Sequence, residues 1–175
     1  MLAHVFAQKR AGMPLALLRF ITLAGESMRV LLQTQRGKYM VILVAMDGSD
    51  FARTALTRAL ELAAPSKAEV VALNVTPYVG VVEEMPQKLV DRLEREAAAL
   101  MQEVKAAGAE YGVPLMTRVE SGVSPAEKIL EVAKEVNADL IVVGHRGKTN
   151  LERFIIGSVA SSLVTHSPCS VLVVK

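Results

Sequence analysis

The chain has 175 residues, room for one domain of ordinary size and not for two. Hydrophobic residues make up 51%, mostly Val, Leu, Ala, Ile and Met, while aromatics are 4% and tryptophan is absent, a bias that suits a buried parallel sheet and disfavours a base-stacking nucleic-acid surface. Of the net charge of +2, residues 1–38 hold a balance of +5 (six basic residues against Glu26); the remaining 137 residues carry −3, so overall basicity is no argument for nucleic-acid binding.

Residues 1–38 read as a basic N-terminal extension. Positions 11–24 are mostly apolar after Lys9 and Arg10, which superficially suggests a signal peptide. Arg19 interrupts that stretch, and it is too short to span a bilayer, so no membrane role is expected. An amphipathic helix over roughly 14–35 fits Leu15, Leu18, Ile21 and Leu31 on or near one face. Three readings stay open: a mobile extension or an over-extended start before Met40, a helix that docks on the body or on a partner, and, against the length and Arg19, a membrane or export role.

From Tyr39 the pattern becomes regular. The continuous apolar run 40–46 predicts a strand covered on both faces. A helix follows over 51–64 with Ala52, Ala55, Leu56, Ala59 and Ala63 inward, stopped by Pro65 and Ser66. A second buried strand spans 69–75, and a longer loop occupies 78–85. The longest helix covers 87–107, its apolar stripe marked by Leu89, Leu93, Ala97, Leu100 and Val104; Asp91/Arg95 and Arg92/Glu96 are i,i+4 pairs on its wetter side. Residues 114–119 form a third strand. Ser124-Pro125-Ala126-Glu127 is a capping box with proline at the first helical position, which opens a helix to about Val136. Residues 140–143 are the fourth strand, 158–166 a short last helix and 170–174 the fifth strand. Such alternation predicts an open α/β fold of Rossmann-like type, a parallel sheet with helices on both faces joined by right-handed crossovers.

In open sheets of this class ligands bind beyond the carboxyl ends of the strands, where strand order reverses. Two strand-end loops carry unusual residues. Asp47-Gly48-Ser49 follows the first strand, and Gly144-His145-Arg146-Gly147 follows the fourth, with Gly157-Ser158 opening the last helix nine residues further on. Gly144 and Gly147 allow a tight turn and a close approach of backbone to ligand. A helix start with free N–H groups and the positive end of its dipole outward binds phosphate, and Ser158 adds a hydroxyl donor. Either piece alone would be an ordinary turn or cap; together at this spacing they favour a phosphate cradle.

Gly147-Lys148-Thr149 imitates the end of a P-loop, but the first glycine of that motif would fall on Val142, so Walker-type lysine chemistry has no support. The dinucleotide fingerprint G-x-G-x-x-G is absent as well. Cys169 is the single cysteine, which excludes an internal disulfide and multi-cysteine metal sites and fits a reducing, cytoplasmic compartment. His4, His145 and His166 lack zinc-ligand spacing, so no protein-only metal site is expected.

Read as G-x2-G-x9-G-[ST], Gly144, Gly147, Gly157 and Ser158 together resemble the nucleotide-binding universal stress proteins. The first strand ending in Asp47 and the terminal strand after Pro168 match that family too, so the resemblance covers about 39–175 and leaves 1–38 apart. It implies a five-stranded parallel sheet in the order 3-2-1-4-5 that binds ATP, with ADP or AMP as alternatives. By position, Ala45, Asp47 and the backbone at Val75 would border adenine and ribose. Gly144, His145, Arg146 and Gly147 would wrap ribose and phosphates, with Gly157, Ser158, Val159 and Ala160 beneath the phosphates. Asp47 suits ribose hydroxyls or a phosphate-bound Mg2+, and equally a solvated turn or cap. The family implies a homodimer through the strand-five edge, which the N-terminal segment could cover instead.

The favoured expectation is a regulatory nucleotide-binding protein of the stress response. No Glu, Asp or His is placed by motif to activate water near a γ-phosphate, which weighs against the alternatives of a slow ATPase or phosphotransferase. An interaction module without nucleotide is the third reading, against which the intact glycine motif argues. His166 reads as a dipole partner at a helix end and Cys169 as a small buried hydrophobe.

Overall fold

The computed structural model describes residues 40–77, 86–148 and 156–175. The readings made for 1–38 and for the loop 78–85 lie outside these residues. The described elements run β1 (Val41–Ala45), α1 (Asp50–Ser66), β2 (Glu69–Pro77), α2 (Gln87–Glu110), β3 (Leu115–Gly122), α3 (Pro125–Glu135), β4 (Leu140–Gly144), α4 (Ser158–His166) and β5 (Ser170–Val174). All pairings are parallel, as the alternation of elements predicts, and the order is β3-β2-β1-β4-β5, as the family resemblance implies.

The apolar runs of β1, β2 and β4 are long because these three strands have cover on both faces. Ile42 and Val44 point into a core under α1 and α2, together with Leu56, Leu60, Val104 and Val142. Leu43 and Ala45 point the other way, into a core under α3 and α4 with Leu73, Ile129, Ile141 and Leu163. β1 lies at the centre, and its amino end is locked to β4: Val41 N–H donates to the Asp139 carboxylate at 2.8 Å while Asp139 N–H donates to the Val41 carbonyl at 2.9 Å.

Helix ends follow local chemistry. Ser49 caps α1 by accepting from Ala52 N–H, and Ser124 caps α3 by accepting from Glu127 N–H with Pro125 in the first turn. Pro65 does not stop α1. It is accommodated in the last turn, and the helix ends at Lys67, whose backbone is left-handed (φ 54°) and whose N–H returns to the Ala63 carbonyl. In α2 the buried side begins only at Ala97; Leu89 is exposed and Leu93 half-buried. Arg92 and Glu96 form the expected ion pair at 2.8 Å, whereas Asp91 accepts from Gln87.

Candidate functional site

Strand order reverses between β1 and β4, so their carboxyl ends stand side by side at the switch point. β1 is prolonged past Ala45 by Met46, whose N–H donates to the Leu73 carbonyl at 2.8 Å and whose carbonyl accepts from the Asn74 side chain at 2.7 Å. Asn74 is the one buried polar side chain among the described residues, and that bond uses one of its amide donors. The chain then turns through Asp47 and Gly48; the left-handed φ of +81° at Gly48 is a conformation that favours glycine.

Asp47 ties this turn to the loop after β4. Its Oδ1 accepts from Ser49 N–H (2.9 Å) and Ser49 Oγ (2.6 Å), and its Oδ2 accepts from Lys148 N–H (2.9 Å). Arg53, one turn into α1, donates to the Gly48 carbonyl at 2.8 Å and grips Glu103 of α2 with two nitrogens, at 2.6 and 3.2 Å. The hydrogen bond from Arg53 holds the Glu103 carboxyl below the usual carboxylate range, and the reciprocal bond raises Arg53.

The glycines of the β4 loop owe their identity to neighbours inside the protein. Neither Gly144 nor Gly147 has a left-handed backbone; each makes room for a close approach. A Cβ on Gly144 would lie 2.8 Å from both the carbonyl carbon and the Cβ of Phe51, so the missing side chain lets α1 sit on the end of β4. A Cβ on Gly147 would lie 2.5 Å from Asp47 Oδ2. His145 between them is pinned: its N–H donates to the Val174 carbonyl at 2.7 Å, and its carbonyl accepts from Gly157 N–H at 2.8 Å. Its ring meets Phe51 edge-on with centroids 4.2 Å apart, and Nδ1 is buried without a partner. Arg146 is half-buried beside it.

Gly157 is the N-cap of α4 and brings no side chain to the helix end. Ala160 is fully buried and Val159 half-buried in the core under α3 and α4, which anchors the first turn, while Ser158 is exposed. The N–H groups of Ser158, Val159 and Ala160 are the ones a helix leaves without an intrahelical partner, and they lie at the positive end of the dipole.

Beside Asp47, toward α2, opens a cavity of about 740 Å3, a size that takes small organic ligands. Asp47, Asn74 and Val75 line it from the strand ends, and Leu93 and Leu100 from α2. Lys148 completes its rim, with Nζ 3.6 Å from where a Gly48 Cβ would stand. Of the sequence-assigned residues, Asp47 and Val75 face this cavity, and Gly144, His145, Arg146, Gly147 and Gly157 form the connected loop and helix cap next to it. Ala45 does not line it and is buried in the core under α3 and α4, on the other face of the sheet. Sequence reasoning passed over Asn74, Arg53 and Lys148. Asn74 carried a readable signal, a lone amide within an otherwise apolar strand; Lys148 was visible only as the end of a false P-loop.

Residues 38–175 match the universal stress protein family. The chain belongs to that family. A universal stress protein of Methanocaldococcus jannaschii is 40% identical over 141 residues, covering 78% of this chain and 82% of that one. Among solved structures, universal stress protein UspA from Lactobacillus plantarum is 31% identical with a TM-score of 0.69, covering 79% of this chain and 99% of that one. The universal stress protein from Archaeoglobus fulgidus, solved in complex with dAMP, is 26% identical with a TM-score of 0.64, with coverage of 79% and 99%.

Proposed function

We propose that residues 39–175 of this universal stress protein form a nucleotide-binding domain, and that 1–38 are a separate extension. The bound ligand is ATP, with ADP and AMP as the forms left after loss of phosphate. One observation carries the reading: at the switch point the β4 loop is bonded at one end to the glycine-capped start of α4 and at the other to Asp47, which lines a cavity of nucleotide-accepting size. The dAMP complex of the Archaeoglobus fulgidus relative supports adenine as the base.

In this reading the amides of Ser158, Val159 and Ala160 and the Ser158 hydroxyl take the phosphates, with the Lys148 ammonium close by. Val75 and Ala45 border the base and ribose, and the loop Gly144–Gly147 wraps the sugar. Any Mg2+ in this reading is carried by the phosphates; Ser49 takes both lone pairs of Asp47 Oδ1 and Lys148 N–H one of Oδ2, so Asp47 acts on the site through the loop and not as a metal ligand. Binding sets a conformational or dimer state in a stress response in the cytoplasm. No helix among the described residues is long and apolar enough to cross a membrane. The dimer forms through β5, an edge strand whose Val171, Leu172 and Val173 are only half-buried.

The test is to denature the purified protein and separate the released small molecules by ion exchange. Near-stoichiometric adenine nucleotide is expected, along with ATP binding in calorimetry. No released nucleotide and no measurable ATP affinity would reject the reading. Conversion of added ATP to ADP that disappears in Gly157→Val would replace it with a slow hydrolase, and a monomer in sedimentation would remove the dimer.

A further inference from the structure

We propose that Asp47 is a positioning residue, a latch that holds the glycine-rich loop and the start of α4 in the shape that receives phosphate. The inference rests on the nucleotide-binding reading above for its functional consequence, but the latch itself is a property of the ligand-free fold.

The carboxylate is committed in two directions. Oδ1 takes both donors of Ser49 in its own turn, and Oδ2 takes the main-chain N–H of Lys148, 101 residues away in sequence. Charge-assisted bonds of this kind are about twice as strong as neutral ones. The loop has been shaped around them, since only a residue without Cβ at 147 leaves room for Oδ2. Asp47 is itself held from behind. Asn74 grips the preceding carbonyl of Met46, and Arg53 grips the following carbonyl of Gly48.

The start of α4 is bonded to the other end of the same loop. His145 is bonded to β5 through its N–H and to Gly157 through its carbonyl. The β4 loop is thus fixed at both ends, at His145 by the sheet and at Lys148 by Asp47, and its carbonyl fixes the cap of α4. Releasing Lys148 frees the Gly147 end. A ligand must then order that segment as it binds, which lowers affinity without removing any donor that touches the ligand.

A double-mutant cycle separates this role from direct contact. Asp47→Ala should weaken ATP binding by about tenfold or more, as loss of a hydrogen bond to a charged group does. Gly147→Ala should do at least as much, because its new Cβ displaces the carboxylate. In the Asp47→Ala background, however, the Gly147→Ala change should add less than about twofold, since the atom it collides with is gone. Asp47→Asn should keep most of the affinity by turning its amide oxygen to Lys148 N–H. Without ligand, hydrogen exchange at the Lys148 amide should be slow in the wild type and at least about tenfold faster in Asp47→Ala, with an unchanged circular dichroism spectrum certifying the fold. Multiplying losses in the cycle, or an Asp47→Asn affinity as poor as that of Asp47→Ala, would overturn the positioning role in favour of direct contact. An unchanged Lys148 exchange rate would overturn the latch itself. If wild-type protein binds no ATP, the nucleotide reading fails while the exchange measurement still decides whether the latch exists.

Discussion

Replacing Gly144 with alanine should be among the most damaging single-methyl additions this domain can receive. The new Cβ would stand 2.8 Å from the Phe51 carbonyl carbon, 2.8 Å from the Phe51 Cβ and 3.0 Å from the Phe51 oxygen. Carbon atoms prefer about 3.5–4.0 Å, so the first turn of α1 must retreat by roughly 0.7 Å or more. Two of the three obstructing atoms are backbone, and no rotamer change relieves them. α1 packs on the sheet through Ala52, Ala55, Ala59 and Ala63, a small-residue face that works only at close range, and lifting it loosens Leu56 and Leu60 as well. Overpacking typically costs about 1–3 kcal/mol, and backbone obstruction puts this case near the top of that range. A loss of about 3 kcal/mol lowers the melting temperature of a domain this size by roughly 10 °C. Urea unfolding should show a lower midpoint at unchanged slope. Gly157→Ala is the control: its Cβ would meet the His145 oxygen at 3.3 Å and the Arg146 Cα at 3.4 Å, a misfit of a few tenths of an ångström. A Gly144→Ala protein within about 0.5 kcal/mol of wild type, or less damaged than Gly157→Ala, would refute the close-packing account.

Two further changes probe the frame of the site. Asn74→Ala strips the Met46 carbonyl of its side-chain donor inside the core and should cost about 1–3 kcal/mol in urea unfolding; a loss under about 0.5 kcal/mol would mean that the bond does not matter. The Arg53–Glu103 pair is about half exposed on both sides, so solvent screening should hold its coupling in a double-mutant cycle below about 1 kcal/mol and molar salt should erase it. Because folding lowers the Glu103 pKa, that contribution is present above the unfolded carboxylate pKa and is lost as pH falls through the lower folded value; a coupling that grew on acidification would contradict the assignment.

The parallel strands and every described helix were legible because their signals are local: apolar runs of strand length, stripes of helical period, a capping box at Ser124; the strand order came only from the family resemblance. Boundaries failed where a tertiary fact decided them. Pro65 looked like a stop, yet α1 absorbs it and ends on the left-handed Lys67, for which lysine gives no hint. Leu89 and Leu93 continue the stripe of α2, but periodicity says which side faces the protein and not how far the core extends. β3 runs on to Gly122 because it pairs with β2 as far as Pro77, while the alternation was masked by Arg118 and Glu120, which pair with each other on an edge strand. At the site, the glycine spacing and Asp47 stood out, whereas the bond from Lys148 to Asp47 joins residues that only the strand order brings together.

The three glycines of the motif are therefore unequal witnesses to ligand binding. Gly144 is required by Phe51 and Gly147 by the Asp47 carboxylate, so both would be kept by a protein of this fold that bound nothing. Gly157 is less constrained than Gly144: a Cβ there would meet the His145 oxygen at 3.3 Å and the Arg146 Cα at 3.4 Å, tight backbone contacts that need an adjustment of a few tenths of an ångström. Gly157→Val extends that methyl with two γ-carbons at the cap of α4, next to the amides assigned to phosphate, at a structural cost within the ordinary range of about 0.5–3 kcal/mol for a point substitution. ATP affinity should fall by more than about tenfold, out of proportion to that cost. If binding and stability instead fall together in Gly157→Val as they should in Gly144→Ala, the phosphates do not lie over α4, and the α2-side cavity beside Lys148 becomes the place to look for the ligand.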